Sequence, residues 1–166
     1  MEIIIEQVIN GLTIGSFYAL IALGYSMVYG VLKLINFAHG DFFTFGSYIG
    51  YTVLVFGAAA LTAHFGLWGA LTAAVLIASV SLACVGIIVE RLAYRPVYPA
   101  GRLPAVVSAL GASIFLQNAI MVFWGPRFQA YPSELIPNAH LQLGSIHVSL
   151  LQVVILVMSF LLMGLL

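Results

Sequence analysis

The stretch "LKLINFAHGDFFTFGSY" holds side chains that could take part in chemistry. Four polar residues crowd together here, in a chain of which only 6% is charged: Lys33, Asn36, His39 and Asp41. A histidine close to a carboxylate can be tuned for acid–base work near neutral pH. Alternatively, Asp41 caps a helix that begins at Phe42, and the other three residues occupy the interface between two helices. The stretch therefore predicts a helix contact, a transport path or partner contact, or a catalytic group.

The composition of the chain indicates whether these residues lie in water or in a membrane. Hydrophobic residues make up 63% of the chain, and the mean hydropathy is +1.16. A chain of this kind has too few polar side chains to cover itself in water. Its apolar runs approach the ~20 residues that cross a bilayer as a helix, and they lack the alternation of a barrel strand. We therefore predict an all-α, polytopic helical membrane protein.

Glycine, proline and charged residues divide the chain into about five hydrophobic segments. The last segment is still apolar at the final residue, which we interpret as a piece of a longer protein with a single domain over residues 1–166. The acidic N-terminus "MEIIIEQ" does not have the basic start of a cleaved leader. The predicted segments are Val8–Leu32, Phe42–Ala63, Leu67–Val89, Pro104–Trp124 and Val148–Leu166.

The arginines predict the orientation of these segments. The connection "ERLAYRPVYPAGRLP" contains Arg91, Arg95 and Arg102 and a single acid, whereas the loop after the fourth segment has one basic and one acidic residue. Basic residues are concentrated in cytoplasmic loops, so we expect these three arginines in the cytoplasm. Lys33 is then cytoplasmic too if the second segment crosses completely, and it is outside if that segment dips in and returns.

Other polar residues lie inside the apolar runs. Gln117 and Asn118 need hydrogen-bond partners in a membrane, and contacts between helices satisfy such amides more often than a solute does. Tyr25 lies beside a face of small residues on the first segment, which we expect to pack against a neighbouring helix, and a similar face is present on the third segment. The lone Cys84 is interpreted as a packing residue.

Several classes of function are disfavoured. The net charge is zero and no basic run is present, so nucleic-acid binding is not expected. The lone lysine is not part of a phosphate-binding loop, so ATP must be hydrolysed by another chain. The four histidines are too far apart to suggest a metal site, and no cofactor is predicted.

The motifs together resemble one family. "GLTIGSFYALIALGYSMVYGVLKLINFAHGDFFTFGSY", "ERLAYRPV" and "ALGASIFLQN" occur in the order found in the permease subunit of bacterial ABC importers for branched-chain amino acids, a family with relatives that carry urea and short amides. The resemblance covers residues 11 to about 124 and is to the N-terminal part of the family. It implies a multi-pass protein of the inner membrane that is not an enzyme.

The resemblance also implies partners. These are a second homologous permease, cytoplasmic ATPase subunits and an extracytoplasmic substrate-binding protein. A secondary transporter or channel, or a membrane-embedded enzyme using His39 and Asp41, remains an alternative. A branched-chain amino acid is a zwitterion with an apolar side chain, so its path needs few charges and some amide or hydroxyl groups. The candidate path or helix-contact residues are Tyr25, Asn36, His39, Asp41, Gln117 and Asn118.

Overall fold

A computed structural model describes residues 2–131, 140–143 and 146–165 of the chain. Long helices dominate it. Between the second and third helices the chain forms a π-helical turn, Glu90–Tyr94, and a short 3-10 turn, Tyr98–Ala100. The other elements in chain order are α1 (Glu2–Leu32), α2 (His39–Val89), α3 (Arg102–Trp124), β1 (His140–Leu143), β2 (Ile146–Ser149) and α4 (Leu150–Leu165).

Helix α2 is bent into two arms at Gly66. This residue has φ 69° and ψ 177°, a conformation that is essentially restricted to glycine. The arms, residues 39–65 and 67–89, pack antiparallel to each other: Gly46 lies against Leu82, and Gly50 lies opposite Ala78. Each arm is about 35–40 Å long, enough to cross a hydrocarbon core of about 30 Å.

Helix α3 runs parallel to the first arm of α2. Hydrogen bonds join Ser113 to Asp41 and Trp124 to Thr52, and both connect residues 72 positions apart. A glycine flanks α3 at each end: Gly101 has φ 106° and Gly125 has φ 84°. The buried face of α3 forms one hydrophobic core with residues of the neighbouring segments. This core consists of Ala38, Val89, Tyr94, Ala109, Ala112 and Leu116.

The chain divides into two compact units. The first comprises Met1–Met27 and Ile136–Leu166, and the second comprises Val28–Leu135. In the first unit, β1 and β2 pair antiparallel, with His140 opposite Ser149, and the Gln152 amide of α4 donates to Asn10 Oδ1 of α1. The second unit contains the α2 hairpin and α3. The single domain expected over residues 1–166 remains a prediction.

The helical membrane fold agrees with the sequence prediction, but the count of five segments is not confirmed. Within the described part of the chain, three helices are long and apolar enough to cross a membrane, namely α1, α2 with the π-helical turn, and α3. The bent α2 includes the second and third predicted segments, and α4 has only 16 residues. The paired strands β1 and β2 were not predicted, because their residues alternate between apolar and polar and form no continuous apolar run.

The two faces of small residues have different environments. On the second arm of α2, Ala70 and Ala74 are buried, as expected for a packed face. On α1, a Cβ atom added at Gly11 or Gly15 would meet nothing within 4 Å among the described residues. The expected packing of the α1 face is therefore not observed within this part of the chain. Cys84 is also exposed, contrary to its interpretation as a packing residue.

Candidate functional site

The first part of the polar stretch, residues 33–38, forms a non-helical break between α1 and α2. Helix α1 ends at Leu32, and Lys33 adopts a left-handed conformation with φ 53°. Its N–H donates to the Tyr29 carbonyl at 2.8 Å, which closes the last turn. The left-handed conformation costs a non-glycine residue roughly 1–2 kcal/mol. The chain therefore turns out of the helix at Lys33 without the glycine that usually marks such an end.

Asn36 holds this break in place. Its Oδ1 accepts a hydrogen bond from the Ala38 N–H at 3.1 Å and a second from the Tyr94 hydroxyl at 2.8 Å. The first bond shapes the turn, and the second ties it to the π-helical turn after α2. Ala38 is completely buried, and the His39 N–H donates to the Asn36 carbonyl at 3.2 Å. One amide side chain thus connects the start of α2 to the segment that follows its end.

The π-helical turn at Glu90–Tyr94 forms hydrogen bonds with α3 and with Asn36. The Arg95 N–H donates to the Glu90 carbonyl at 2.8 Å, so the turn contains one residue more than an α-helical turn. The Ser108 hydroxyl of α3 donates to the Ala93 carbonyl, and the buried Tyr94 reaches Asn36. π-Helical turns are often found at functional sites.

Asp41 connects the first turn of α2 to α3. The Ser113 hydroxyl donates to Asp41 Oδ2, and the Gln117 Nε2 donates to Asp41 Oδ1 at 2.9 Å. The interpretation of Asp41 as a helix cap is wrong, because α2 begins at His39 and its N-cap position, Ala38, provides no side-chain bond. In the first turn, the carboxylate is instead favoured by the helix dipole and bonded to the neighbouring helix.

The position of Ser113 along α3 indicates how far the contact with Asp41 lies from the ends of that helix. Helix α3 has 23 residues and is about 34 Å long, close to the thickness of a hydrocarbon core. Ser113 lies eleven residues from both Arg102 and Trp124, the two ends of α3. Asp41 therefore lies level with the middle of a helix that is long and apolar enough to span a membrane.

A groove of about 460 Å³ lies between the break and the second arm of α2. Its lining along α2 is mainly apolar, with His39 and Ser79 as polar exceptions, and it is polar towards the π-helical turn. The Tyr98 hydroxyl is buried and has no hydrogen-bond partner among the described residues. Burial, and then the nearby Glu90 carboxylate, raise the pKa of Tyr98, so it stays protonated. The lining includes Asn36, His39, Phe42, Leu82, Glu90 and Tyr98.

Aromatic residues gather at the far end of α3. The Trp124 indole N–H donates to Thr52 Oγ1 at 2.7 Å, and its ring centroid lies 5.6 Å from that of Phe45 and 5.4 Å from that of Tyr48. Tryptophan and tyrosine are enriched where membrane meets water. This cluster is therefore typical of the interface at the end of a span.

The structure brings four predicted site residues together in one compact unit: Asn36, His39, Asp41 and Gln117. His39 is the half-buried first residue of α2 and lines the groove. Asn118 differs from the expected contact between helices, because its exposed amide donates to the Ile114 carbonyl of its own helix at 2.7 Å.

Tyr25 belongs to the other unit, where it is half-buried in α1. The three arginines expected in the cytoplasm are exposed; they are Arg91 in the π-helical turn, Arg95 directly after it and Arg102 at the start of α3.

Sequence reasoning missed several partners at this site. Ser113 precedes Gln117 by one helical turn, and this spacing is the signal that could have revealed their shared face. Tyr94 is part of the motif "ERLAYRPV", but its contact with Asn36 was missed, because a π-helical turn cannot be identified from apolar spacing. Among the residues that the structure describes, no group of three or more His, Cys, Asp or Glu could hold a metal ion.

Comparison with known proteins provides the family. A family model described as "Branched-chain amino acid transport system / permease component" matches residues 7–166. The chain is 40% identical over 169 residues to the high-affinity branched-chain amino acid transport system permease protein BraD of Pseudomonas aeruginosa, covering 96% of this chain and 52% of that protein.

Further relatives carry the same description. Identity to the permease protein LivH of Escherichia coli K12 is 40% over 163 residues, covering 96% of this chain and 52% of LivH. Identity to LivH of Salmonella typhimurium is 45% over 130 residues, covering 78% of this chain and 41% of that LivH. The chain thus spans about half the length of these relatives, and no solved structure matches it. Its sequence and its helical membrane fold place this chain in the family of permease components of branched-chain amino acid transport systems.

Proposed function

We propose that this chain forms part of the translocation path of an ATP-driven importer for branched-chain amino acids. The observation that supports this most directly is the Asp41 contact with Ser113 and Gln117, halfway along α3. Ionisable residues are costly inside a membrane and usually border an internal cavity or a solute path. Membership of the permease family supports the same function.

The chemistry of the substrate fits the composition of the site. A branched-chain amino acid carries one ammonium group, one carboxylate and an apolar side chain. The groove between the break and α2 offers the apolar Phe42 and Leu82 near the amide of Asn36 and the hydroxyl of Tyr98. This composition suits an apolar side chain that is accompanied by polar atoms, and the contact of Asp41 with Gln117 lies outside the lining of this groove. The hydrogen bonds of Asp41 also join the α2 hairpin to α3.

The partner subunits of the importer are inferred from the family. The chain pairs with a second, homologous permease and with cytoplasmic ATPase subunits, and a substrate-binding protein delivers the amino acid from outside the inner membrane. ATP hydrolysis belongs to the ATPase subunits, because the sequence has no phosphate-binding loop. The exposed Arg91, Arg95 and Arg102 face the cytoplasm by the positive-inside rule.

Uptake measurements test this proposal. The complete permease is reconstituted with its partner subunits in proteoliposomes, and ATP-dependent uptake of radiolabelled leucine is measured. We expect Asn36→Ala and Gln117→Ala each to lower uptake several-fold, because each removes a polar group from the path. The matched control is Phe115→Ala, since Phe115 is 67% exposed and lies about 160° around α3 from Gln117.

Two results would contradict the proposal. Normal uptake by both variants, with normal assembly, would show that these residues are not part of the path. Uptake that persists without the ATPase subunits would indicate a secondary transporter or a channel.

A further inference from the structure

We propose that Asp41, held by Ser113 and Gln117, is the subsite that receives the ammonium group of the transported amino acid. This inference rests on the proposed function and assigns one end of the substrate to one carboxylate. Among the described residues, the two side chains that donate to Asp41 are neutral, a hydroxyl and an amide. They orient the carboxylate without cancelling its charge, and a carboxylate can accept about four hydrogen bonds. The subsite therefore has both charge and acceptor capacity to offer a cation.

The depth of Asp41 makes a cationic ligand the expected partner. At the middle of α3, an uncompensated carboxylate would be surrounded by hydrocarbon unless protein, water or a solute covers it. A primary ammonium group carries one positive charge and three N–H donors, which match the unused acceptor positions. In surroundings of low polarity, the attraction between the two charges is much stronger than in water.

The surroundings of Asp41 leave it open to such a ligand. Asp41 is half-buried, whereas Gln117 is exposed on the surface of its compact unit. One turn before Asn118 on the same side of α3, Ile114 is 61% exposed and offers an apolar surface. An ammonium group at Asp41 would thus place the aliphatic side chain of the same molecule along an apolar helix face.

The first experiment separates the charge of Asp41 from its hydrogen bonds. Asp41→Asn keeps the size and one acceptor oxygen but removes the charge, whereas Asp41→Glu keeps the charge. Leucine uptake is measured in the reconstituted importer, with assembly checked by co-purification of the partner subunits. We expect Asp41→Asn to lower uptake at least tenfold and Asp41→Glu to retain part of it. A purely structural carboxylate would give the opposite order, because asparagine fits the same space.

The second experiment leaves Asp41 unchanged and so does not depend on how an Asp41 variant folds. Cys84 is replaced by serine, and a reporter thiol is introduced by Met121→Cys, one turn beyond Gln117 on the same side of α3. In the reconstituted importer, the rate of labelling by a thiol reagent is measured with three ligands. We expect protection by leucine and by 3-methylbutylamine, which has the ammonium group, and none by 4-methylpentanoate, which lacks it.

The outcomes distinguish this inference from the proposed function. Protection by 4-methylpentanoate as strong as by the amine would overturn the ammonium assignment, and so would protection by sodium ions alone, which would indicate a site for an inorganic cation. If Asp41→Asn transports normally while Asn36→Ala and Gln117→Ala lose uptake, the path remains and the subsite assignment is wrong. If none of the three affects uptake, the proposed function itself fails.

Discussion

Replacement of Gly66 by alanine tests the bend in α2. At φ 69° and ψ 177°, Gly66 lies in a region that is essentially closed to residues with a Cβ atom, and occupying it costs of order 1–3 kcal/mol. The added methyl group itself would meet nothing within 4 Å, so the cost arises from the backbone alone. We therefore expect Gly66→Ala to destabilise the protein by about 1–3 kcal/mol.

Gly111→Ala is the matched control. Gly111 lies within α3, and its added Cβ would also meet nothing within 4 Å, but its backbone is helical. Alanine is favoured over glycine in a helix by about 1 kcal/mol, so this variant should be as stable as the wild type or slightly more stable. The two variants should thus differ by about 2–4 kcal/mol.

Thermal unfolding of the detergent-solubilised complete permease, followed by size-exclusion chromatography after heating, provides the measurement. We expect Gly66→Ala to melt several degrees below Gly111→Ala. Equal melting temperatures would refute the conclusion that the positive φ at Gly66 defines the hairpin.

Three further predictions concern side-chain contacts. Asn36→Ala and Tyr94→Phe should each lower Tm, because both remove the same 2.8 Å hydrogen bond. The double variant should therefore lose about 1 kcal/mol less stability than the sum of the two single variants, and fully additive losses would contradict the hydrogen bond. Thr52→Val should shift the tryptophan emission of Trp124, whose N–H then loses its partner, and an unchanged spectrum would contradict the contact. Tyr98→Phe should leave Tm unchanged or raise it at pH 7, since the buried hydroxyl has no partner among the described residues. As pH rises past about 10, the wild type should lose more stability than this variant, because the raised pKa of Tyr98 keeps the folded hydroxyl protonated after the unfolded one has ionised.

The apolar runs predicted the helices well because their signal is local. The bounds 67–89 predicted for the third segment coincide with the second arm of α2, and the prediction for α3 ends at Trp124, as the helix does. The start of α2 was predicted at Phe42 rather than at His39, because an Asp after a glycine has the composition of a cap. The carboxylate was available to α3 instead, and only the packing of α3 could reveal this.

The candidate site was predictable in its residue types but not in its pairing. The polar residues of the break were apparent because they interrupt an apolar chain. Their partners Tyr94 and Ser113 lie 58 and 72 residues away from Asn36 and Asp41, respectively. Pairing over such distances depends on how the helices pack, which no local pattern encodes. The parallel alignment of α3 with the first arm was likewise invisible in the sequence.

The π-helical turn at Glu90–Tyr94 acts as a one-residue insertion in the helical phase of the chain. Every residue after it is rotated by about 100° from the direction that an uninterrupted α-helix would give it. Deleting one residue there would restore the α-helical ladder and turn a different side chain towards Asn36. An insertion or deletion of a single residue in this turn would therefore change which side chains connect the break to α3, even where every other residue of the segment is retained.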